Sequence, residues 1–312
     1  MVEQLLIENA KLPMMQLVRK RYKGIQMVEN EIEQIEKMDT REDDIWVCSY
    51  PRSGTTLAQE MTYLIQTLDF ETAKSVKLDD RFPIIEFKDD RYPCYRGIKY
   101  IEQMESPRMI KTHLHHFLLP EQLQKGKGRI IYIARNPKDA LTSYFRMMEL
   151  ANELAEDEKT LDLLADGFIK GTGYACPWTR HVLEYWERQN ASQVLFLKYE
   201  EVVRDKLAAV RRIADFLGRK LTEDDISRIA DHCSVANMRD NPAVNNSYWV
   251  EFKKMNFENG ARFINEGVPG TWQKFLKPEQ SSKIDEMIRE VAKSGLILEH
   301  TSEPIPSSTE TT

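Results

Sequence analysis

Cysteine is scarce. The chain has four in 312 residues (Cys48, Cys94, Cys176 and Cys233), none spaced as a CxxC pair, which is too few and too scattered for a disulfide framework. Long apolar runs are also missing, since none approaches the ~20 residues that span a bilayer. The N-terminal stretch Met1–Leu17 carries Glu3, Glu8 and Lys11 among its apolar residues and does not read as a signal peptide. Nor is there an excess of positive charge. Lys+Arg 44 against Asp+Glu 50 gives a net charge of −6, so the bulk charge does not attract nucleic acid or an anionic membrane. An anionic ligand would need a local cluster of donors. These absences set aside secreted, membrane-spanning and metal-cluster classes, with no nucleic-acid or membrane partner expected, and point to a cytoplasmic protein. Hydrophobic residues at 41% and charged residues at 30% are ordinary for a globular chain long enough for one large core.

Four short runs have the length and β-branched or aromatic bias of strands: Asp44–Tyr50, Arg108–Leu114, Gly128–Arg135 and Gln193–Tyr199. The third is almost wholly apolar at its centre, as a strand buried on both faces of a parallel sheet would be. Amphipathic helical patterns lie between and after them. Leu57, Met61, Leu64, Ile65 and Leu68 make one stripe, Ala140, Leu141, Tyr144, Phe145 and Met148 a second, and Leu207, Val210, Ile213, Ala214 and Leu217 a third, with Gly218 placed to end it. Alternation of strands with helices predicts an α/β fold: a central parallel sheet with helices on both faces. The expected organisation is an N-terminal helical extension over 1–40, with an acidic helix at Met27–Met38, one domain over 41–300, and a disordered tail over 301–312, where apolar residues are few. The Asn- and Gly-rich stretch Asp240–Gly270, with Trp249, Phe252, Phe257 and Phe263, reads as a binding loop or lid.

Three motifs carry chemistry. At the end of the first strand, Tyr50-Pro51-Arg52-Ser53-Gly54-Thr55-Thr56 leads into a helix. Gly54 allows a tight turn, the hydroxyls are donors, and the first helical N–H groups form a positive end suited to a phosphate or sulfate. A plain Ser/Thr cap would give the same Ser-Gly-Thr-Thr, and Arg52 at the mouth is what favours the anion site. In the second motif, Lys111-Thr112-His113 puts a cation and a titratable base on one face of a strand. Both could simply reach water at a sheet edge. His115 and His116 point to opposite faces and have no Cys or carboxylate at ligand spacing, which argues against a metal. In the third, Arg135-Asn136-Pro137 closes the apolar strand. Asn136, Pro137 and Asp139 start a helix, whereas Arg135 stands where ligands of open α/β sheets bind, and Ser143 lies two turns further on.

Together, from about Asp44 to Trp272, these motifs resemble the cytosolic sulfotransferase family, which moves a sulfuryl group from 3′-phosphoadenosine 5′-phosphosulfate (PAPS) to small hydroxyl or amine acceptors and leaves adenosine 3′,5′-bisphosphate (PAP). The resemblance implies that Arg52, Ser53, Gly54, Thr55 and Thr56 hold the 5′-phosphosulfate. It assigns Arg135 and Ser143 to the 3′-phosphate, and Leu57, Tyr199, Val235, Met238, Asn265 and Gly267 to the rest of the nucleotide. It makes His113 the catalytic base, with Lys111 and Arg52 stabilising charge. A small lipophilic alcohol or phenol would lie among Phe82, Ile84, Phe87, His113, Phe145, Met148 and Trp249; no metal is implied.

The chain departs from the family pattern at the cofactor's far end. Where the family carries Arg-Lys-Gly, it reads Asn265-Glu266-Gly267. The aromatics that sandwich adenine are replaced by Leu57 and Val235, and the usual dimer motif has no match in Gln273–Ser282. The implied consequence is weaker 3′-phosphate binding, with repulsion from Glu266 unless it turns to solvent. A non-catalytic nucleotide binder of the same fold remains as an alternative. So does a phosphate-loop kinase, although Thr55 stands where that loop wants Lys.

Overall fold

The computed structural model describes residues 19–28, 30–88, 94–150, 160–252 and 262–299. Residues 1–18 of the expected helical extension, Phe257 of the expected lid and the tail expected to be disordered over 301–312 fall outside these residues.

Four parallel strands form the central sheet in the order β4-β3-β5-β6, with β3 at Ile45–Cys48, β4 at Met109–Thr112, β5 at Arg129–Ala134 and β6 at Val194–Lys198. Each lies inside one of the four runs expected from sequence. Side-chain alternation sends successive residues to opposite faces. Trp46, Cys48, Ile130, Tyr132 and Ala134 enter one apolar core, while Ile45, Val47, Ile131 and Ile133 enter the other. Helices cover both faces, including Thr55–Thr67, Pro137–Leu150, Trp178–Trp186 and Lys206–Leu217. A buried pair fixes the opposite end of the sheet: Arg108 Nε donates to Asp44 Oδ1 at 2.7 Å.

Two expectations are corrected. The helix expected at Met27–Met38 is limited to Ile32–Lys37. Before it, β1 (Arg19–Tyr22) and β2 (Ile25–Val28) form an antiparallel hairpin. Lys23 and Gly24 both have positive φ (50° and 89°), as a two-residue turn matched to strand twist requires, and Ile25 and Met27 alternate into the core. Acidic periodicity had hidden that short alternation. Leu207, counted on an apolar stripe, is exposed, because Asp205 accepts a hydrogen bond from the Ala208 amide at 2.9 Å and starts the helix with Leu207 turned outward.

The register aligns Cys48 with Thr112 and Tyr132, and Ala134 with Lys198. Ser49, His113, Arg135 and Tyr199 are therefore each the first residue beyond their strand, on one edge of the sheet. The chain runs from β3 to β4 on one side and to β5 on the other, which is where open α/β sheets form a crevice.

Candidate active site

A cavity of about 250 Å³ opens over that edge. Its lining includes Arg52, Gly54, Thr55, Thr56 and Leu57 from the loop and helix after β3. Lys111 comes from β4 and His113 from just beyond it, Arg135 from just beyond β5 and Ser143 from the helix that follows. Tyr199, Val235, Met238, Asn265 and Gly267 close one end, while Ile84, Phe87, Met148 and Trp249 line another part. Ser53, Phe82 and Phe145 do not line it. Ser53 is fully buried beneath the loop. Phe82 belongs to the core under the helix Thr55–Thr67. Phe145 turns toward Phe275, ring centroids 6.3 Å apart, so the chain presents Tyr144 and Met147 to the cavity instead. Helical geometry explains the exchange, since Phe145 lies about 100° round the axis from Tyr144.

The loop after β3 is built for close approach. Gly54 has φ +100°, and a Cβ there would lie 2.5 Å from Tyr199 Cδ2, so both backbone and space demand glycine. Thr55 Oγ1 is 2.7 Å from Ser49 Oγ, and no side chain caps the helix at Gly54, so its first amides keep no intrahelical partner. Arg52 Nε donates to Ser143 Oγ at 3.2 Å, and its Nη2 donates to the Phe263 carbonyl at 2.9 Å. Arg135 Nη1 donates to the Arg52 carbonyl at 3.1 Å, with the guanidinium 4.4 Å over the Tyr199 ring. Burial, then the Arg135 charge beside it, pushes the Arg52 guanidinium down to about 10. Arg52 therefore remains a cation at neutral pH, held beside the Arg135 guanidinium with no acid lining this end. Arg135 Nε is a buried donor without a partner on the cavity wall. Such a constellation fits a doubly anionic ligand.

At His113 the carbonyl of Ser49 lies 2.9 Å from Nδ1. A carbonyl only accepts, so Nδ1 carries the proton and Nε2 has the free lone pair. Burial, reinforced by the Lys111 charge, lowers its pKa to about 3, so the ring is neutral at physiological pH. Three residues absent from the sequence reading hold it. The His113 amide donates to Glu86 Oε1 at 2.5 Å. His181 Nε2 donates to the His113 carbonyl at 3.1 Å, and Tyr132 OH donates to His181 Nδ1 at 2.9 Å. Glu86 was visible as the lone acid in the apolar run Phe82–Phe87; His181 gave no local signal.

The segment 262–270 reaches the site through Asp139, whose carboxylate accepts from the Gly270 and Trp272 amides at 2.7 and 3.2 Å and from the Thr271 hydroxyl. The sequence assigned Asp139 only to starting a helix. Gly267 has φ +70°, and a Cβ on it would lie 2.3 Å from Val235 Cγ2. Glu266 does not line the cavity; it faces Arg146 and Lys274 at 3.9 and 3.8 Å. The outward turn that would relieve its repulsion is therefore present.

The family pattern described as a sulfotransferase domain matches residues 42–295. The chain belongs to the sulfotransferase family. Sulfotransferase 1C2 of Oryctolagus cuniculus is 33% identical over 257 residues, 82% of this chain and 85% of that protein. Luciferin sulfotransferase of Photinus pyralis is 36% identical over 276 residues, 81% and 73% of the two chains. Among solved structures, retinol dehydratase in complex with androsterone and PAP superimposes with a TM-score of 0.79 at 26% identity, covering 92% of this chain and 91% of that one. Mouse sulfotransferase SULT7A1 complexed with PAP gives 0.69 at 26% identity, covering 88% and 95%. This sulfotransferase thus shares its fold with proteins solved with a nucleotide bound. No helix among its described residues is long and apolar enough to cross a membrane.

Proposed function

We propose that this sulfotransferase moves a sulfuryl group from PAPS to the hydroxyl of a small lipophilic alcohol or phenol in the cytoplasm, with His113 as general base. The observation that carries the reading is the neutral His113, its Nδ1–H committed to Ser49 and its Nε2 free, on the same cavity as Lys111 and the Arg52 loop.

The orphaned donor Arg135 Nε, the two guanidinium groups and the glycine cradle at Gly54 fit the phosphate and sulfate oxygens of such a donor. When bound, PAPS supplies an electrophilic sulfur with a phosphate leaving group. Arg52, Thr55, Thr56 and the first helical amides orient the phosphosulfate end, while Arg135, Ser143 and Gly267 hold the 3′-phosphate end. His113 Nε2 accepts the acceptor's hydroxyl proton, so the oxygen becomes nucleophilic only in position. Lys111 and Arg52 place positive charge where the leaving phosphate gains negative charge, the main service a protein gives to transfer of this kind. Ile84, Phe87, Met147, Met148 and Trp249 exclude water from an apolar acceptor.

His113→Ala should lose about 10²–10⁴-fold in kcat and keep PAP affinity, because the imidazole meets the acceptor rather than the phosphates. Transfer of labelled sulfate from PAPS to a panel of phenols, sterols, retinoids and monoamines, with PAP calorimetry alongside, tests both parts. A variant retaining half of the wild-type kcat removes His113 from the mechanism. PAP binding without transfer to any acceptor would favour a non-catalytic binder.

A further inference from the structure

One acid lies among the described residues lining the cavity. Asp79, on the short helix Leu78–Arg81, is 7% exposed, and all the other charged lining residues (Arg52, Lys111, Arg135 and Lys206) are cations. Around it is a small apolar cluster separate from the two main cores, with Ile84 and Cys94 buried and Phe87, Tyr95 and Trp249 packed against them. Burial raises the Cys94 thiol's pKa; beyond that, the Asp79 carboxylate raises it and the Lys111 ammonium lowers it. The acid and the catalytic-side cation therefore act on the same wall.

A phenol and a guanidinium are the polar neighbours of this carboxylate among the described residues. Tyr248 OH donates to Asp79 Oδ2. Arg96 Nε donates to Asp80 Oδ1 at 2.6 Å and its guanidinium also feels the Asp79 charge, while Lys77 Nζ sits 4.4 Å over the Tyr248 ring. A carboxylate offers roughly four lone-pair positions, and burying one is costly unless they are used. An apolar acceptor alone would leave the acid facing hydrocarbon.

We propose that Asp79 is an acceptor-binding residue, selecting lipophilic alcohols or phenols that carry a second hydrogen-bond donor, a hydroxyl or an amine, apart from the oxygen that is sulfated. The inference rests on the sulfotransferase reading above. With the reacting hydroxyl at His113 Nε2, the acceptor's second donor meets Asp79 while its hydrocarbon fills the cluster of Ile84, Phe87 and Trp249.

Three phenols of equal length test it: 4-butylphenol, 4-(3-hydroxypropyl)phenol and 4-(3-aminopropyl)phenol. The wild-type protein should favour at least one donor-bearing phenol by roughly tenfold in kcat/KM, mostly through KM, the scale of one hydrogen bond to a charged group. Asp79→Ala should erase that preference. Asp79→Asn, which keeps an acceptor oxygen but no charge, should keep a preference for the hydroxyl and lose one for the amine, so the two arms identify the donor. Tyr248→Phe removes the neighbouring hydrogen bond and leaves the acid, and it should retain the preference. The proposal is overturned by a wild type that does not discriminate, by Asp79→Ala lowering all three phenols equally, or by Tyr248→Phe erasing the preference as fully as Asp79→Ala. PAP calorimetry confirms that each variant folds. If none of the phenols is sulfated, the reading of the reaction fails, and their binding followed by Trp249 fluorescence still decides whether Asp79 discriminates among them.

Discussion

His113 and Glu86 show how two buried groups are shifted in opposite directions. Burial lowers the imidazole's pKa to about 3 and raises the Glu86 carboxyl's to about 7, because in both cases the uncharged form is the cheaper one to bury. For Glu86 the folded pKa exceeds the unfolded value, near 4.3 for glutamate. Its contribution to stability is therefore fully present below that value and is lost as pH rises through about 7. Glu86→Gln removes the titration while leaving an oxygen for the His113 amide. The difference in Tm between variant and wild type should grow in the variant's favour between pH 5 and pH 8. Thermal melts at both pH values check this, and an unchanged difference would mean that Glu86 stays ionised throughout.

At the scale of elements, two strand ends and a turn are fixed by side chains from distant segments. Glu86 accepts from the His113 amide beyond β4, and Glu200 accepts from the Asn136 amide beyond β5 at 2.9 Å. Asp139 does the same for the turn at Gly270–Trp272. Removing it leaves buried donors without a partner, at a cost of about 1–3 kcal/mol each. It also releases the segment that carries Asn265 and Gly267 to the cavity. Asp139→Ala should therefore lower Tm and raise the Kd for PAP severalfold, whereas a change confined to Tm would separate the turn from nucleotide binding. Denaturation and calorimetry on the same preparation distinguish these outcomes.

On the scale of the molecule, a chain of net charge −6 gathers Arg52, Lys111, Arg135 and Lys206 around one cavity. Residues from distant parts of the sequence complete it, and of the two departures in Asn265-Glu266-Gly267 only Asn265 faces inward. Asn265→Arg should tighten PAP about tenfold through one charge-assisted hydrogen bond, with no gain for a nucleotide lacking the 3′-phosphate. Glu266→Lys should give no such gain, since its side chain faces Arg146 and Lys274. Calorimetry with both nucleotides tests the pair; equal effects would show that this segment does not approach the 3′-phosphate.

The sequence by itself determined the strands, the three main helices, the glycine turn at Gly54 and the pairing of Lys111 with His113, because period, capping and strand parity act over a few residues. The same locality made the motif residues Arg52, Arg135 and Tyr199 legible, each just beyond a strand. It could not show that Glu86 and His181 grip the His113 peptide, that Asp79 faces the same cavity as Lys111, or that Glu266 turns away while Asn265 turns in. Those contacts join segments tens to hundreds of residues apart, and no local period encodes them. It also misread Met27–Met38, where a two-residue turn at Lys23-Gly24 allowed Ile25 and Met27 to be buried as a strand. Burial in the assembled core, a property of the packed chain, decided that element, as it decided the protonation of His113.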